Sequence, residues 1–164
     1  MSVLTLVLFV QENIVKAANI RAEETGGPAA AMELPDGTLI TGKTSALLGA
    51  SSALILNALK KLAGIDDESK LISPQIIEPI MDLKLKHLGN RNPLLHIDEI
   101  LIALSIEALT NPDAKRAYEK LDALKGLEVH SSVILSQVDV GVFKKLGVNL
   151  TCEPKYQNKK LYHT

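Results

Sequence analysis

The most conspicuous chemical feature of the sequence is a phosphate-binding pattern. Residues Gly37–Thr44 match the P-loop pattern of glycine, four residues and then Gly-Lys-Thr. A P-loop follows a buried strand and curls its backbone N–H groups around phosphate. Here Pro35 and Asp36 precede the match, and its Thr, Leu, Ile and Thr residues favour an extended strand. An NTPase P-loop, for which no convincing Walker B segment follows, is therefore the weaker interpretation.

The end of the same match favours a simpler anion site. It precedes an apolar segment, 45–62, that is typical of a central helix. Unpaired N–H groups and the positive end of the dipole at a helix start favour phosphate or carboxylate. The alternative is that Thr44 or Ser45 only caps the helix. The residues expected at this helix start are Gly42, Lys43, Thr44 and Ser45. Further contacts are expected from His130, Ser131, Glu153, Lys155 or another domain.

Other residues offer weaker chemical signals. His96 and Glu99 open a predicted helix and share one face, although acidic residues in a first turn usually serve the helix dipole. His130 and Ser132 share a face if their segment is a strand, but a serine nucleophile also needs a base and an orienting acid in contact. Cys152 ends the last predicted strand, where a buried structural thiol is the simpler interpretation.

Metal chemistry finds little support in the sequence. The chain has one cysteine, no His-Glu-x-x-His motif and no other group of three ligands at usable spacing. A single cysteine also excludes an internal disulfide framework and suits a reducing cytoplasm. We therefore expect no metal, leave any cofactor and any catalytic residue unassigned, and expect a cytoplasmic protein.

Composition excludes several classes of protein. The chain has 164 residues, with 18 Lys+Arg against 19 Asp+Glu and only 3% aromatic residues. Balanced charge and scarce stacking surface argue against nucleic-acid binding. Abundant aliphatic residues argue against disorder. The apolar run Val3–Val10 is too short to span a bilayer and lacks a basic flank, so we interpret it as buried protein and not as a membrane segment.

Periodicity orders the first third of the chain. Apolar residues at three- and four-residue steps predict a long, mostly buried helix from Leu4 to about Glu24, which Gly26-Gly27-Pro28 ends. A tight β-hairpin over 31–42, with its turn at Pro35-Asp36-Gly37, and the helix over 45–62 follow. A brief buried strand is predicted over 70–73.

The middle and the end of the chain differ in character. Proline follows an N-cap residue at Ser73-Pro74 and at Asn111-Pro112. The first signal predicts a helix that starts at Pro74, and the second predicts a helix over 113–124. Between them, an apolar segment predicts a helix over 97–109. The β-rich run 132–135, a short helix from Asp139 and a strand over 148–152 come last. These patterns predict an α/β subdomain from 1–72 and 127–164, with a helical subdomain over 73–126 inserted between them.

Several long stretches resemble an uncharacterised bacterial family, the domain of unknown function 1846. They include 34–53, 57–65, 98–105, 130–136 and 144–156. The resemblance covers nearly everything from Leu34 onward and implies that the chain corresponds to the C-terminal part of a longer protein. Since the family has no established catalytic residues, none can be transferred.

The resemblance also implies a fold. It suggests a three-layer α/β sandwich with a small mixed sheet of cytidine-deaminase-like topology beside the helical subdomain. Deaminase chemistry is not implied, because those enzymes hold zinc with His or Cys at two helix starts. This chain has Lys43-Thr44-Ser45 at the first position and Val140-Gly141-Val142 near the second.

Two functions from different classes follow. The first is binding of an anionic or phosphorylated small molecule at Gly42–Ser45. The second is a structural module without catalysis of its own, in which the apolar first helix and the helical subdomain mediate homo-oligomerisation or docking to an N-terminal domain absent from this chain.

Overall fold

The computed structural model describes residues 2–156 and has six α-helices and a four-stranded sheet within that range. The helices are Val3–Thr25 (α1), Ala50–Leu62 (α2), Pro74–Lys86 (α3), Ile97–Glu107 (α4), Pro112–Tyr118 (α5) and Gln137–Lys145 (α6). The strands are Ala29–Glu33 (β1), Leu39–Lys43 (β2), Glu128–Ser131 (β3) and Asn149–Cys152 (β4). A 3₁₀ turn, Leu121–Leu124, follows α5. The predicted α/β class with a small mixed sheet is confirmed.

The strand order is β2-β1-β3-β4, and β1 is antiparallel to both of its neighbours while β3 and β4 are parallel. Ala31 pairs with Thr41 on one side and with His130 on the other. His130 in turn pairs with Thr151. Because β1 alone runs in the opposite direction, the carboxyl ends of β2, β3 and β4 lie at the edge where β1 begins.

Helices cover both faces of the sheet. Ala31 packs with Ile14 and Ala18 of α1, whereas Ala30 and Met32 belong to the larger core formed with α2 and the later helices. Side chains of a strand alternate between faces, so α1 lies on one side and α2 on the other. The alanines of β1 are fully buried and small enough to let α1 approach closely.

The predicted hairpin is confirmed. Gly37 has a φ of +87°, and its N–H donates to the carbonyl of Leu34. The carboxylate of Asp36 accepts from the N–H of Thr38. A glycine that adopts positive φ and an aspartate that bonds to the following backbone are what a tight turn needs.

The predicted start of the central helix is wrong by five residues. α2 begins at Ala50 after its N-cap Gly49, and not at Ser45. Ser45 instead closes a local turn, where its Oγ accepts from the N–H groups of Leu47 and Leu48. An apolar pattern continues through this turn because Leu47 and Leu48 also pack against the core, so periodicity alone extends the helix too far.

Four smaller predictions also need correction. No strand forms over 70–73, where Leu71 and Ile72 are buried in irregular backbone that packs against the core. The predicted third helix ends at Tyr118 and is followed by the 3₁₀ turn. The strand near the C-terminus occupies Glu128–Ser131 and stops before the β-rich run, while Ser136, not Asp139, caps α6.

α1 is confirmed as a long helix, but its first half is not buried. The Ser2 Oγ caps it, and Gly26 ends it in the left-handed region. Val3, Leu4 and Phe9 are 80%, 69% and 55% exposed, whereas Ile14 and Ala18 are buried against the sheet. By length and composition alone, α1 is the one helix within residues 2–156 that could cross a membrane, and only 11% of its most apolar stretch is buried.

One hydrophobic cluster joins the predicted subdomains. It contains Leu54 and Leu59 of α2 together with Ile77 of α3 and Ile100 of α4. Val129 of β3 belongs to the same cluster. The division into 1–72 with 127–164 and the insert 73–126 stays a prediction.

Candidate functional site

The chemically interesting residues gather at the carboxyl edge of the sheet. Segments that leave β2, β3 and β4 lie there beside the loop that enters β1. Open α/β sheets commonly bind ligands at this edge, because the strands end there and helices begin. Two adjoining clefts lie at this edge, and Pro28 and Val133 line both of them.

The structure separates the residues expected at the helix start. Gly42 and Lys43 are the last two residues of β2. A Cβ on Gly42 would stand 2.5 Å from the Ala50 carbonyl oxygen and closer still to the Leu54 nitrogen. Gly42 is therefore needed for close packing of β2 on α2. Thr44 lines the smaller cleft, and Ser45 closes its turn outside it.

The P-loop match forms a hairpin arm. Gly37 lies in the turn and Gly42 near the end of β2, with extended residues between them. Extended backbone points its successive N–H groups to opposite sides, so these residues do not converge on a phosphate. The chemistry of a P-loop is absent from this segment.

Helix N-termini surround the small cleft, which has a volume of about 40 Å³. Its residues include Gly49, Ala50 and Ser51 at the start of α2, His96 before α4, and Ser136 and Asp139 at the start of α6. The first N–H groups of a helix have no partner within the helix, and the helix start carries partial positive charge. The cap residue of α2 is a glycine with no side chain that could satisfy these groups.

Two adjacent buried serines at the start of α2 behave differently. Ser52 Oγ donates a 2.8 Å hydrogen bond to the carbonyl of Leu95. Ser51 is only 2% exposed, lines the small cleft, and its Oγ has no hydrogen-bond partner within residues 2–156. A buried hydroxyl without a partner is costly and rare. The Ser51 hydroxyl therefore stands at the wall of the small cleft without a hydrogen-bond partner from the described residues.

His96 and Asp139 form a pair at the same cleft. The imidazole Nδ1 of His96 lies 3.6 Å from one carboxylate oxygen of Asp139. The other carboxylate oxygen accepts from the N–H of Ile97, the first residue of α4. The neighbouring Asp139 carboxylate raises the pKa of His96 above its ordinary value, against the opposing effect of burial. Both side chains line the cleft, and His96 is the more exposed member of the pair.

A buried lysine fixes the backbone beside His96. Lys84 is 1% exposed, and its Nζ donates 2.7 Å hydrogen bonds to the carbonyl of Leu94 and to the carboxylate of Glu99. The same Glu99 oxygen accepts from the backbone N–H of His96. Glu99 is therefore engaged in positioning the loop before α4.

The larger cleft, of about 630 Å³, lies on the α1 side of the edge. It brings together Glu153 and Lys155, with His130 directly behind Glu153. The Nε2 of His130 lies 3.4 Å from Glu153 Oε1, which also accepts a 2.8 Å bond from Asn19 of α1. His130 is buried, and its Nδ1 bonds to the Thr151 hydroxyl at 2.7 Å. The hydrogen bond from Asn19 is the main cause that lowers the pKa of Glu153.

The nearby serines are engaged in backbone contacts. Ser131 Oγ donates to the carbonyl of Val133 and accepts from its N–H, and Ser132 Oγ accepts from the N–H of Ala29. Over the described part of the chain, neither hydroxyl contacts His130. A serine nucleophile activated by His130 is therefore not formed.

The sequence did not predict roles for Ser51 and Asn19 or the pairing of His96 with Asp139. Each depends on residues that meet only after folding, and a serine among Gly-Ala-Ser-Ser-Ala gives no chemical signal of its own. Among residues 2–156, no three His, Cys, Asp or Glu side chains form a potential metal site. Partial burial raises the pKa of the Cys152 thiol, which disfavours the nucleophilic thiolate.

The sequence of the chain matches a known protein family. A family model described as "Domain of unknown function DUF1846, C-terminal" matches residues 10–162. The chain belongs to this family. The resemblance found in the sequence is confirmed, and the DUF1846 match accounts for nearly the whole chain.

Curated bacterial relatives agree with this assignment. A UPF0371 protein of Streptococcus thermophilus (strain ATCC BAA-491 / LMD-9) is 55% identical over 149 residues, which cover 91% of this chain and 30% of the relative. A UPF0371 protein of Corynebacterium urealyticum is 56% identical with the same coverage, and one of Corynebacterium efficiens is 55% identical over 154 residues, 93% of this chain and 31% of the relative. The chain spans about a third of the length of these relatives.

Proposed function

We propose that this DUF1846 domain binds a small molecule through a carboxylate or phosphate group at the start of α2. The observation that carries the proposal is the buried, unpartnered hydroxyl of Ser51 beside an α2 terminus that lacks a side-chain cap. A hydroxyl can donate to an oxyanion, and the free N–H groups of the first turn add further donors.

The charge of His96 supports an anionic ligand. Its raised pKa increases the protonated fraction near neutral pH, and the charged ring lines the same cleft as Ser51. The Asp139 carboxylate that causes this shift is 8% exposed and already accepts from Ile97. Both side chains line the cleft, and His96 is the more exposed of the two, so the protonated ring is the more accessible charge.

The size of the cleft limits what it holds. A volume of about 40 Å³ exceeds the space needed by one water molecule but admits only the terminal group of a ligand. The remainder of the ligand would extend past Pro28 and Val133 toward the larger cleft. A carboxylate or a phosphate monoester fits this description better than an enclosed nucleotide.

Binding of inorganic phosphate and of acetate to Ser51→Ala tests the proposal. We expect both anions to produce saturable shifts of the α2 amide resonances in NMR titrations, and Ser51→Ala to weaken phosphate binding about fivefold, about 1 kcal/mol. Ser52→Ala is the matched control for stability. It removes a buried hydrogen bond and should cost about 1 kcal/mol, whereas Ser51→Ala removes an unpartnered hydroxyl and should cost nothing.

The proposal also predicts what Lys43 does. Lys43 ends β2 and is exposed, and it does not line the cleft. Lys43→Ala should therefore leave phosphate affinity unchanged, in contrast to the expectation from the sequence. Absence of phosphate binding up to tens of millimolar, or equal binding by wild type and Ser51→Ala, would refute the anion site.

We also propose that the sheet has the cytidine-deaminase-like topology. The supporting feature is that the helix after the hairpin, α2, and the helix after β3, α6, begin at one common cleft. These are the two helix starts where deaminases hold zinc. Gly49–Ser51 and Ser136–Asp139 occupy them here and supply no zinc ligand set, so the placement would be retained without the reaction. Superposition of a crystal structure on deaminases tests the topology.

A second candidate function is docking through α1. Residues Val3–Phe9 expose apolar side chains around the whole helix, and large exposed apolar patches mark interaction surfaces. We propose that this segment packs against the part of the longer UPF0371 proteins that this chain does not span. Light scattering of this chain with and without Leu6→Glu and Phe9→Glu tests it. A monomer whose solubility these substitutions improve supports docking, and a stable wild-type dimer that they dissociate favours a second copy instead.

A further inference from the structure

The large cleft carries the opposite chemistry to the small one. We propose that it is a second binding site, which takes a cationic group such as the ammonium or guanidinium of a small molecule. Glu153 is the group that would contact it, and the site is independent of the anion site at α2.

First, the Glu153 carboxylate is the member of the His130–Glu153 pair that lines the cleft. Glu153 lines the cleft and its side chain is 30% exposed, whereas the side chain of His130 behind it is 5% exposed. The carboxylate is therefore presented to the cleft. Asn19 of α1 donates to its Oε1, and among residues 2–156 no side chain or backbone group donates to its Oε2.

The second argument is an incompletely satisfied buried group. His130 Nε2 has no hydrogen-bond partner of ordinary length within residues 2–156, because Glu153 Oε1 lies 3.4 Å away. Its other nitrogen is engaged with Thr151. A native protein rarely leaves a buried nitrogen in this state without a functional reason. A cation that binds Glu153 from the cleft would interact with a carboxylate to which His130 makes no close hydrogen bond.

The third argument concerns which ligand chemistry suits this carboxylate. The hydrogen bond from Asn19 lowers the pKa of Glu153, so the group remains ionised and is a poor acceptor for proton transfer. An ionised carboxylate with a free oxygen is a strong acceptor of hydrogen bonds from cations. The charged side chains that line the cleft are Glu23, Glu153 and Lys155, two negative and one positive. Binding of a cation therefore fits better than catalysis or binding of an anion.

The fourth argument is size. About 630 Å³ lies within the range of pockets that bind small molecules. The walls come from α1, the loop before β1 and the segment after β4, so the polar groups converge from three separate parts of the chain.

Paired fragments test the proposal by NMR. Ethanolamine is the cationic probe, and ethylene glycol is a neutral probe of similar size. We expect ethanolamine, titrated to tens of millimolar, to shift the amides of Asn19 and Val133, and ethylene glycol to bind at least fivefold more weakly. Glu153→Gln should abolish the preference for ethanolamine. Glu128→Gln, which alters an exposed carboxylate bonded to Asn149, is the matched control and should retain it.

Each outcome decides between the possibilities. Equal binding of the two fragments by wild type, ethanolamine binding that survives Glu153→Gln, or no shift at these amides overturns the proposal. Retained folding of Glu153→Gln, checked by its amide spectrum, excludes unfolding as the cause of a loss. Phosphate binding at α2 is measured separately, so failure of either site leaves the other one to stand on its own result.

Discussion

The two clefts at the carboxyl edge use the same pair of chemical groups in opposite order. At the small cleft, both members of the pair line the wall, and His96 is more exposed than Asp139. At the large cleft, Glu153 faces the opening and His130 lies behind it. The more exposed member of each pair determines which charge is more accessible to a ligand. We therefore propose an anion as the ligand of the first cleft and a cation as the ligand of the second, although each pair consists of one histidine and one carboxylate.

The two pairs contain the same residue types, yet they differ in which member is exposed and in whose pKa is shifted. These differences come from burial and from a third group that hydrogen-bonds to the carboxylate. Asp139 is held by the N–H of Ile97, so its charge is balanced at a helix start and it can raise the pKa of His96. Glu153 is held by the amide of Asn19, which lowers the pKa of the carboxylate itself. In both cases the partner comes from a distant part of the chain.

Removal of Lys84 should have the largest effect among the changes that distinguish the two clefts, because its hydrogen bonds position the loop beside the small cleft only. Lys84→Met leaves Glu99 and the Leu94 carbonyl without their buried donor, and we expect a loss of about 3 kcal/mol in the free energy of unfolding. Urea denaturation measures this loss. Lys86→Met, which alters an exposed lysine 3.7 Å from Asp82 on the same helix, should cost less than about 0.5 kcal/mol. Similar losses for both variants would contradict the positioning role of Lys84.

A side chain at Gly42 should disturb the small cleft by moving α2. Gly42→Ala places a methyl group against the backbone of Ala50 and Leu54, and we expect a loss of about 2 kcal/mol. Gly141→Ala is the control, because a Cβ there meets nothing within 4 Å and alanine favours the helix, so stability should rise slightly. Thermal unfolding measures both changes. An unchanged melting temperature for Gly42→Ala would argue against the close packing of β2 on α2.

The pH dependence of stability should sharpen the role of His96. The pKa of His96 is raised in the folded protein, so its ion pair stabilises fully below the ordinary histidine pKa and less as pH rises through the raised value. Wild type should therefore exceed His96→Gln by up to about 1 kcal/mol at pH 5.5, and by less at pH 8.5. Urea denaturation at the two pH values measures the difference. A difference that grows with pH would show that the assigned partner is wrong.

The smallest expected effect concerns Glu153 and is spectroscopic. Asn19→Ala removes the donor that chiefly lowers the pKa of Glu153, so the pKa should move back toward the ordinary glutamate value. The carboxylate favours the folded state above the ordinary pKa and loses this effect as pH falls through the lowered value. A ¹³C NMR titration of the side-chain carboxyl measures the pKa. Asn149→Ala is the control, and an unshifted Glu153 titration in Asn19→Ala would disprove the role of Asn19.

Much of the fold could be predicted from local signals. Asp36 and Gly37 identify the hairpin turn, Gly26 identifies the end of α1, and Ser73-Pro74 identifies the start of α3. These signals work because turns and helix ends depend on the conformations that a few adjacent residues allow. The start of α2 could not be predicted, since the leucines after Ser45 are apolar for a tertiary reason.

The candidate sites were less predictable than the fold. The sequence predicted some of the residues at the carboxyl edge. Those that lie at or beside the clefts are His130, Glu153, Lys155 and Thr44. Ser51 was not predicted, because only its burial without a partner distinguishes it from Ser52. Asn19 and Glu153 are 134 residues apart, a separation at which no sequence spacing carries information.

The sequence by itself determined membership of the DUF1846 family, the α/β class, and the turns and helix ends. Local backbone preference and long specific stretches are properties of adjacent residues. Only the tertiary structure decided where α2 begins, which half of α1 is exposed, and which member of each histidine–carboxylate pair is the more exposed. These features depend on packing between distant segments, because burial and the third hydrogen-bond partner arise only when those segments meet.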